Sequence, residues 1–205
     1  ALLRASGGLA AAGVLYAATD RDLDIGLRHA KHGHLCEAAW QGVPERIVAA
    51  RAALQRQIHA SGAHTVIVSE EGFSGAGPRG AEFFQPFTQE GEVEVICYLR
   101  RQDLFLESLF NQIVKRGRDA VELDIVAFAA AEKTRRWLNY LPMLRHWQRA
   151  GATVKVAEFD QARRGAGLLA HFAGLARLGG VTLQDEWRNP STDMQAVLAL
   201  CARRR

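Results

Sequence analysis

Arg100 lies between a predicted strand and a predicted helix, a position suited to binding an anion. Residues 92–99 alternate polar and apolar side chains and then become apolar, which predicts a strand entering a covered sheet. Arg100 follows directly, and the next residues carry apolar side chains at helical spacing, with Asp103 predicted to cap the helix. Ligands of open α/β sheets bind beyond the carboxyl ends of the strands, and a helix N-terminus beside an arginine suits a phosphate. The stretch therefore predicts a phosphate site.

The elements that must position this arginine alternate between helix and strand. An amphipathic helix over 44–60, with Pro44 in its first turn and Gly62 as its stop, precedes a β-branched strand at 65–68. Another strand is predicted over 152–160, and residues 13–16 form a short extended segment. This alternation predicts an α/β fold with a parallel sheet, and 205 residues fit a single domain over 1–205.

The composition excludes several classes of protein. A hydrophobic fraction of 48% and a charged fraction of 23% are those of an ordinary soluble globule. The net charge of +4 suits an anionic ligand, but no basic stripe interleaved with aromatics indicates nucleic acid. No apolar run is long enough to span a membrane and no signal-peptide pattern is present, so a cytoplasmic location is expected. The three cysteines form no Cys-x-x-Cys pair, which argues against a zinc knuckle or a disulfide framework.

Three histidines lie close together at His29, His32 and His34. A metal site would need His29 and His32 on one helical turn, but Gly33 interrupts that helix and no carboxylate has clear ligand spacing. We therefore expect no metal. The segment instead borders a substrate pocket or is a solvent-exposed helix end.

The spacing Arg100-x7-Ser108 resembles the pattern with which sulfotransferases hold the 3′-phosphate of their donor, 3′-phosphoadenosine 5′-phosphosulfate. The segment YLRRQDLFLESLFNQ resembles the form of that motif found in bacterial members of the family. The segment LNYLPMLRHWQRAG resembles another sequence motif that recurs in these bacterial members. The resemblance covers nearly all of the chain. It implies a three-layer fold, a parallel sheet flanked by helices with the topology of P-loop NTPases. It also implies that Arg100 and Ser108 contact the nucleotide, whose product form is adenosine 3′,5′-bisphosphate.

The same resemblance points to a catalytic glutamate after the strand at 65–68. Bacterial relatives often have Ser-Ser-Glu-x-Phe at this junction, which selects Glu71, whereas the Glu-Lys-Ser pattern of glycan-modifying members selects Glu70. The chemistry requires one carboxylate within hydrogen-bond reach of the acceptor hydroxyl. Two adjacent acids at a strand end are equally compatible with a solvated loop.

The acceptor pocket is expected to be built from loops. Residues 72–90 are predicted to form a Gly/Pro-containing flap, whose Phe83, Phe84 and Phe87 either cover the pocket or seal the edge of the core. Trp137 and Tyr140 either line the pocket or pack in the core. The resemblance implies a hydroxyl or amine acceptor, with a carbohydrate as one candidate.

One departure from the family is large. Its first strand and Lys-Thr-Gly-Thr or Lys-Thr-Gly-Ser loop would precede Ala1, and the chain contains neither Lys-Thr-Gly nor Gly-x4-Gly-Lys-Ser/Thr. We therefore expect an N-terminally truncated sulfotransferase with very weak activity on its own. The alternative is a non-catalytic derivative that binds a nucleotide or a partner. A phosphate-loop kinase is disfavoured because a Walker-type loop and a clear magnesium-binding acid are both missing.

Overall fold

The computed structural model describes residues 6–24, 31–116, 124–165 and 167–183. Within these ranges the strands are β1 (Val14–Tyr16), β2 (Thr65–Ile67), β3 (Glu94–Leu99) and β4 (Thr153–Glu158). The helices are α1 (Ser6–Ala11), α2 (Gly33–Gln41), α3 (Pro44–Ser61), α4 (Pro78–Phe84), α5 (Gln102–Arg116), α6 (Ile125–Ala130), α7 (Glu132–Leu138), α8 (Tyr140–Arg149), α9 (Phe159–Arg164) and α10 (Leu168–Leu175). Two short 3₁₀ helices, Glu71–Ser74 and Gln85–Gln89, flank α4.

The strands form two separate parallel pairs. β1 pairs with β2, with Val14 opposite Thr65 and Tyr16 opposite Ile67. β3 pairs with β4 over their whole length, from Glu94 opposite Thr153 to Leu99 opposite Glu158. In the described part of the chain no ladder joins the two pairs, so each strand has a single hydrogen-bonded neighbour. The α/β class with parallel strands is confirmed, whereas one continuous central sheet is not formed by these residues.

Local sequence explains the best-defined helix. α3 begins at Pro44, whose missing N–H would have no partner in the first turn, and it ends at Ser61, followed by Gly62 as a cap in the left-handed conformation with φ 61°. Leu54 is buried on its inner face. The predicted bounds of 44–60 are therefore confirmed to within one residue.

The core between these elements divides into clusters. One joins α2 and α3 to α4 and α8 through buried residues that include Leu35, Leu54, Phe83 and Trp147. A second surrounds β1 and β2 with Leu9, Val14 and Ile67, and a third packs α5 on α6 through Phe110, Val114 and Phe128. None of the described helices is sufficiently long and apolar to cross a bilayer.

The prediction of a flap over residues 72–90 is wrong. The segment is largely helical, and Phe83 and Phe87 are buried, with 1% and 8% of their surface exposed. Phe73 packs edge-on against Phe84 and Trp147, with ring centroids 5.2 and 6.3 Å away. These aromatic side chains anchor the segment in the core, so the second alternative for them, sealing the core edge, is the one observed.

Three smaller expectations are also corrected. Asp103 lies inside the first turn of α5 and pairs with Arg101 instead of capping the helix. The sequence of residues 123–132 also predicts a helix, but Ala131 has extended backbone angles between α6 and α7. The helical spacing of Leu141, Leu144 and Trp147 predicts one inward face on α8, but Leu141 is 51% exposed. His29 lies outside the described residues, as does the region after Ser191, where the sequence predicts a further helix.

Candidate functional site

Polar side chains follow each of the four strands at its carboxyl end. Asp20 comes after β1, Glu70 after β2, Arg100 directly after β3 and Asp160 just after β4. Parallel strands collect such side chains at one edge of a sheet. The candidate site therefore lies at the carboxyl ends of the two strand pairs.

At the β1–β2 pair, Asp20 holds the N-terminus of α2. Its carboxylate is 1% exposed and accepts hydrogen bonds from the backbone N–H groups of Gly33 (3.1 Å) and His34 (2.8 Å). The Nδ1 atom of His34 also lies 2.5 Å from Asp20 Oδ1. A buried carboxylate needs such partners, and the helix dipole favours its charge. Asp20 thus fixes where α2 begins.

His32 ties α2 to both strands of this pair. The Ser69 N–H donates to His32 Nδ1 at 2.9 Å, so Nδ1 carries a lone pair and Nε2–H donates to the Ala17 carbonyl at 2.9 Å. The ring is fully buried, and this burial lowers the pKa of His32. Both ring nitrogens of His32 are engaged by the backbone, which gives the residue a structural role and disfavours metal binding.

The two candidate glutamates occupy different environments. Glu70 is half-buried, and its Oε1 accepts from the Gly72 N–H at 2.8 Å. The side chain of Glu71 is 85% exposed and forms an ion pair with Lys31. Of the two, Glu70 is the one that lines a cleft.

This cleft has a volume of about 600 Å³ and lies between α2 and the segment after β2. One face of α2 supplies most of the wall, and Glu70 and Gly72 supply the rest; the residues of α2 are Gly33, Cys36, Glu37, Trp40 and Gln41. Trp40 is 65% exposed at its rim. The cleft is therefore mainly apolar, with two carboxylates.

Two glycines let the backbone form the base of the cleft. A Cβ on Gly33 would lie 2.6 Å from Asp20 Oδ2, and one on Gly72 would lie 2.9 Å from Cys36 Sγ. Both distances are too short for a side chain to fit without a shift. Burial, followed by the charge of Glu70, raises the pKa of Cys36 to about 11, so its thiol stays protonated at neutral pH and is a poor nucleophile.

At the β3–β4 pair, Arg100 is held by neighbouring elements. Its Nε donates to Asp160 Oδ2 at 2.9 Å, and its guanidinium carbon lies 5.9 Å from the Phe159 ring centroid. The Tyr140 hydroxyl donates to the Arg100 carbonyl at 2.8 Å. Among the described residues Asp160 is the sole hydrogen-bond partner of this side chain, so the terminal nitrogens remain available to an anion. Ser108 lies in the second turn of the following helix, α5, and is half-buried.

The predicted site residues thus fall into two groups, which α8 connects. Glu70 lies beside Gly33, near Asp20, whereas Arg100 lies with Asp160 and the start of α8. Tyr140 at the beginning of α8 contacts Arg100, and Trp147 near its end packs on Phe73 beside Glu70. Tyr140 therefore supports the arginine.

The other predicted positions contribute less. Trp137 lies under the ammonium of Lys133, with 5.0 Å between the nitrogen and the ring centroid. The described residues contain no group of three or more histidine, cysteine or acidic side chains that could hold a metal. The sequence did not indicate Asp20, because its partners lie thirteen and fourteen residues away and no local motif predicts the contact.

Comparison with known proteins gives no match to a family model, to a curated protein or to a solved structure. A functional assignment must therefore rest on the residues and their arrangement.

Proposed function

We propose that the protein is a sulfotransferase that moves a sulfuryl group from 3′-phosphoadenosine 5′-phosphosulfate to a hydroxyl or amine acceptor. The observation that carries the proposal is the position of Arg100. It follows β3 at the start of α5, with terminal guanidinium nitrogens that have no hydrogen-bond partner in the described residues. Such a fork suits a phosphate, and Ser108 on α5 supplies the second half of the resembling motif.

The cleft beside Glu70 would hold the acceptor. The acceptor oxygen or nitrogen attacks sulfur, a new bond to sulfur forms, and the bond between sulfur and the bridging oxygen breaks. The nucleotide leaves as adenosine 3′,5′-bisphosphate, and the acceptor proton passes to the carboxylate of Glu70. Glu71 is the weaker candidate because Lys31 already neutralises it at the surface.

The arrangement of the strands also supports the proposal. The resembling family has a three-layer fold whose parallel sheet includes a central first strand, and the parallel pairing of β1 with β2 and of β3 with β4 is compatible with a sheet of that kind. The phosphate loop that follows this strand in the family would stabilise charge on the leaving group.

A non-catalytic nucleotide-binding role is the second candidate. Two observations favour it: the printed sequence contains no Lys-Thr-Gly, and Asp160 already pairs with the arginine that would bind phosphate. This candidate and the enzyme share the nucleotide site and differ in turnover.

The test is calorimetric titration with adenosine 3′,5′-bisphosphate. Wild-type protein should bind it, and Arg100→Ala should weaken binding at least tenfold, because a charge-assisted bidentate contact contributes about 1.5–3 kcal/mol. Arg149→Ala, which removes an exposed arginine at the end of α8, is the matched control and should bind normally. Equal binding by the two variants, or none by folded wild type, would reject the nucleotide site.

Turnover separates the two candidates. With donor and a small-alcohol acceptor, Glu70→Gln should abolish transfer while Glu71→Gln should retain it. Nucleotide binding without any transfer by wild type would favour the binding protein.

A further inference from the structure

We infer that the cleft of α2 binds a cationic amine, so that the acceptor is an amine-bearing molecule with an apolar body. The acceptor role rests on the proposed function, whereas the binding itself depends only on the cleft. The inference follows from the charges of the lining residues, from Trp40 and from the hydrogen-bonding capacity left on the two carboxylates.

Among the described residues that line the cleft, the charged ones are both acidic. Glu37 and Glu70 contribute two carboxylates, and none of the described lining residues is a lysine or an arginine. Two arginines lie at the edge of the cleft, where Arg46 donates to Gln41 Oε1 and Arg79 donates to the Trp40 carbonyl at 3.1 Å. Lys31 pairs with Glu71. The charged groups that line the cleft itself are both acceptors, which favours a cationic ligand that donates hydrogen bonds.

Each carboxylate keeps capacity for another donor. Glu37 Oε1 accepts from Gln41 Nε2 at 2.7 Å, and Glu70 Oε1 accepts from the Gly72 N–H at 2.8 Å. Within the described residues, the second oxygen of each carboxylate has no hydrogen bond. An ammonium group has three donors and no acceptor, which matches such a pair.

Trp40 gives the site its apolar side. It follows Glu37 by three residues, so the two side chains are neighbours on the same face of α2. An exposed indole beside a carboxylate attracts a cation through its ring face and covers the apolar part of the same ligand. A purely polar ligand would leave this indole unused.

The experiment uses three probes with one ring and different charges: benzylamine, benzyl alcohol and benzoate. Each is titrated into the ¹⁵N-labelled protein while the Trp40 indole and α2 amide signals are followed. Benzylamine should bind at least about threefold more tightly than benzyl alcohol, and benzoate should bind most weakly. This preference should shrink as salt is raised, because the carboxylates border solvent.

Variants locate the charge that is recognised. Glu37→Gln and Glu70→Gln should each lower benzylamine affinity about threefold and leave benzyl alcohol unchanged. Trp40→Leu should weaken both ligands. Glu132→Gln, an exposed acid on α7, is the control and should change neither.

The outcomes are separable from those of the nucleotide test. Benzoate or benzyl alcohol binding as tightly as benzylamine would overturn the inference, as would undiminished affinity in both glutamine variants or no binding by the folded protein. Benzylamine binding without nucleotide binding would keep the amine site and reject the sulfotransferase proposal. Nucleotide binding without benzylamine binding would reject the amine site and keep the sulfotransferase proposal.

Discussion

At the scale of single residues, the chemistry of the candidate site depends on which groups are already engaged. Both ring nitrogens of His32 are hydrogen-bonded, to Ser69 and to Ala17, and Glu71 forms an exposed ion pair with Lys31. Glu70 and Arg100 each keep capacity after their protein contacts are counted. The sequence left Glu70 and Glu71 as alternatives for the base, and burial and partners separate them.

The neutral state of His32 predicts a pH-dependent stability. An unfolded histidine takes up a proton near its ordinary pKa of 6.5, whereas burial lowers the pKa of the folded residue. The unfolded state therefore binds more protons below that pH. As the pH is lowered below 6.5, the free energy of unfolding should decrease by up to about 1.4 kcal/mol per pH unit. Above pH 6.5 the folded and unfolded histidine are both neutral, so this destabilisation should be absent.

Urea titrations between pH 5 and 8 measure this slope. His32→Gln should lose about 1–3 kcal/mol at pH 7.5, because buried hydrogen-bonding groups lose their partner, and its pH slope should be smaller than that of wild type. His59→Gln, whose side chain is 73% exposed in wild type, should retain the full slope. A slope that survives in His32→Gln would assign the titration to another group.

At the scale of elements, the helical segment after β2 is part of the core. Phe83 on α4 is 1% exposed, and the Arg51 guanidinium lies 5.4 Å from its ring centroid. Phe83→Ala should therefore lower the free energy of unfolding by about 3–5 kcal/mol. Leu141→Ala, at a position 51% exposed on α8, should change it by about 0.5 kcal/mol or less.

Chemical denaturation of the two variants decides the point. If Phe83→Ala unfolds at the same denaturant concentration as wild type, the segment is a dispensable flap after all. Phe83→Leu, which keeps most of the apolar volume, should lose less stability than Phe83→Ala and serves if the alanine variant does not fold.

The predictable elements were those with a local cause. Pro44 and Gly62 bound α3, and the β-branched run at 65–67 forms β2, because these signals act within a few residues. The helix α4 was missed, since Pro78 and Gly80 resemble a loop and the contact between Phe84 and Trp147 joins residues far apart in the chain. Asp20 was missed for the same reason, whereas the position of Arg100 after a strand followed from its immediate neighbours.

At the scale of the whole molecule, the two parallel pairs leave strand edges without a ladder in the described part of the chain. Open edges can pair with other chains. Val156 on β4 is a 52% exposed apolar residue on such a strand. We therefore predict concentration-dependent association through this strand, which sedimentation velocity would detect.

Two exposed valines test that prediction. Val156→Lys should lower the association constant about fivefold, equivalent to ~1 kcal/mol, because a charged side chain discourages strand pairing. Val126→Lys adds the same charge at a 73% exposed position on helix α6 and should have little effect. Equal effects of the two changes would attribute the association to net charge, and a strictly monomeric wild type would refute it.

The attachment of α2 has a consequence for the thermodynamics of binding. The Asp20 carboxylate, after β1, accepts hydrogen bonds from the first N–H groups of the helix. His32, directly before the helix, accepts a hydrogen bond from the Ser69 N–H after β2. The two walls of the cleft, α2 and the segment after β2, are therefore held together by hydrogen bonds without a ligand. A ligand entering it would not have to order these walls, so little conformational entropy should be lost on association. Removing the hydrogen bonds of Asp20 or of His32 should weaken ligand binding, because more conformational entropy would then be lost on association, even with every lining side chain intact.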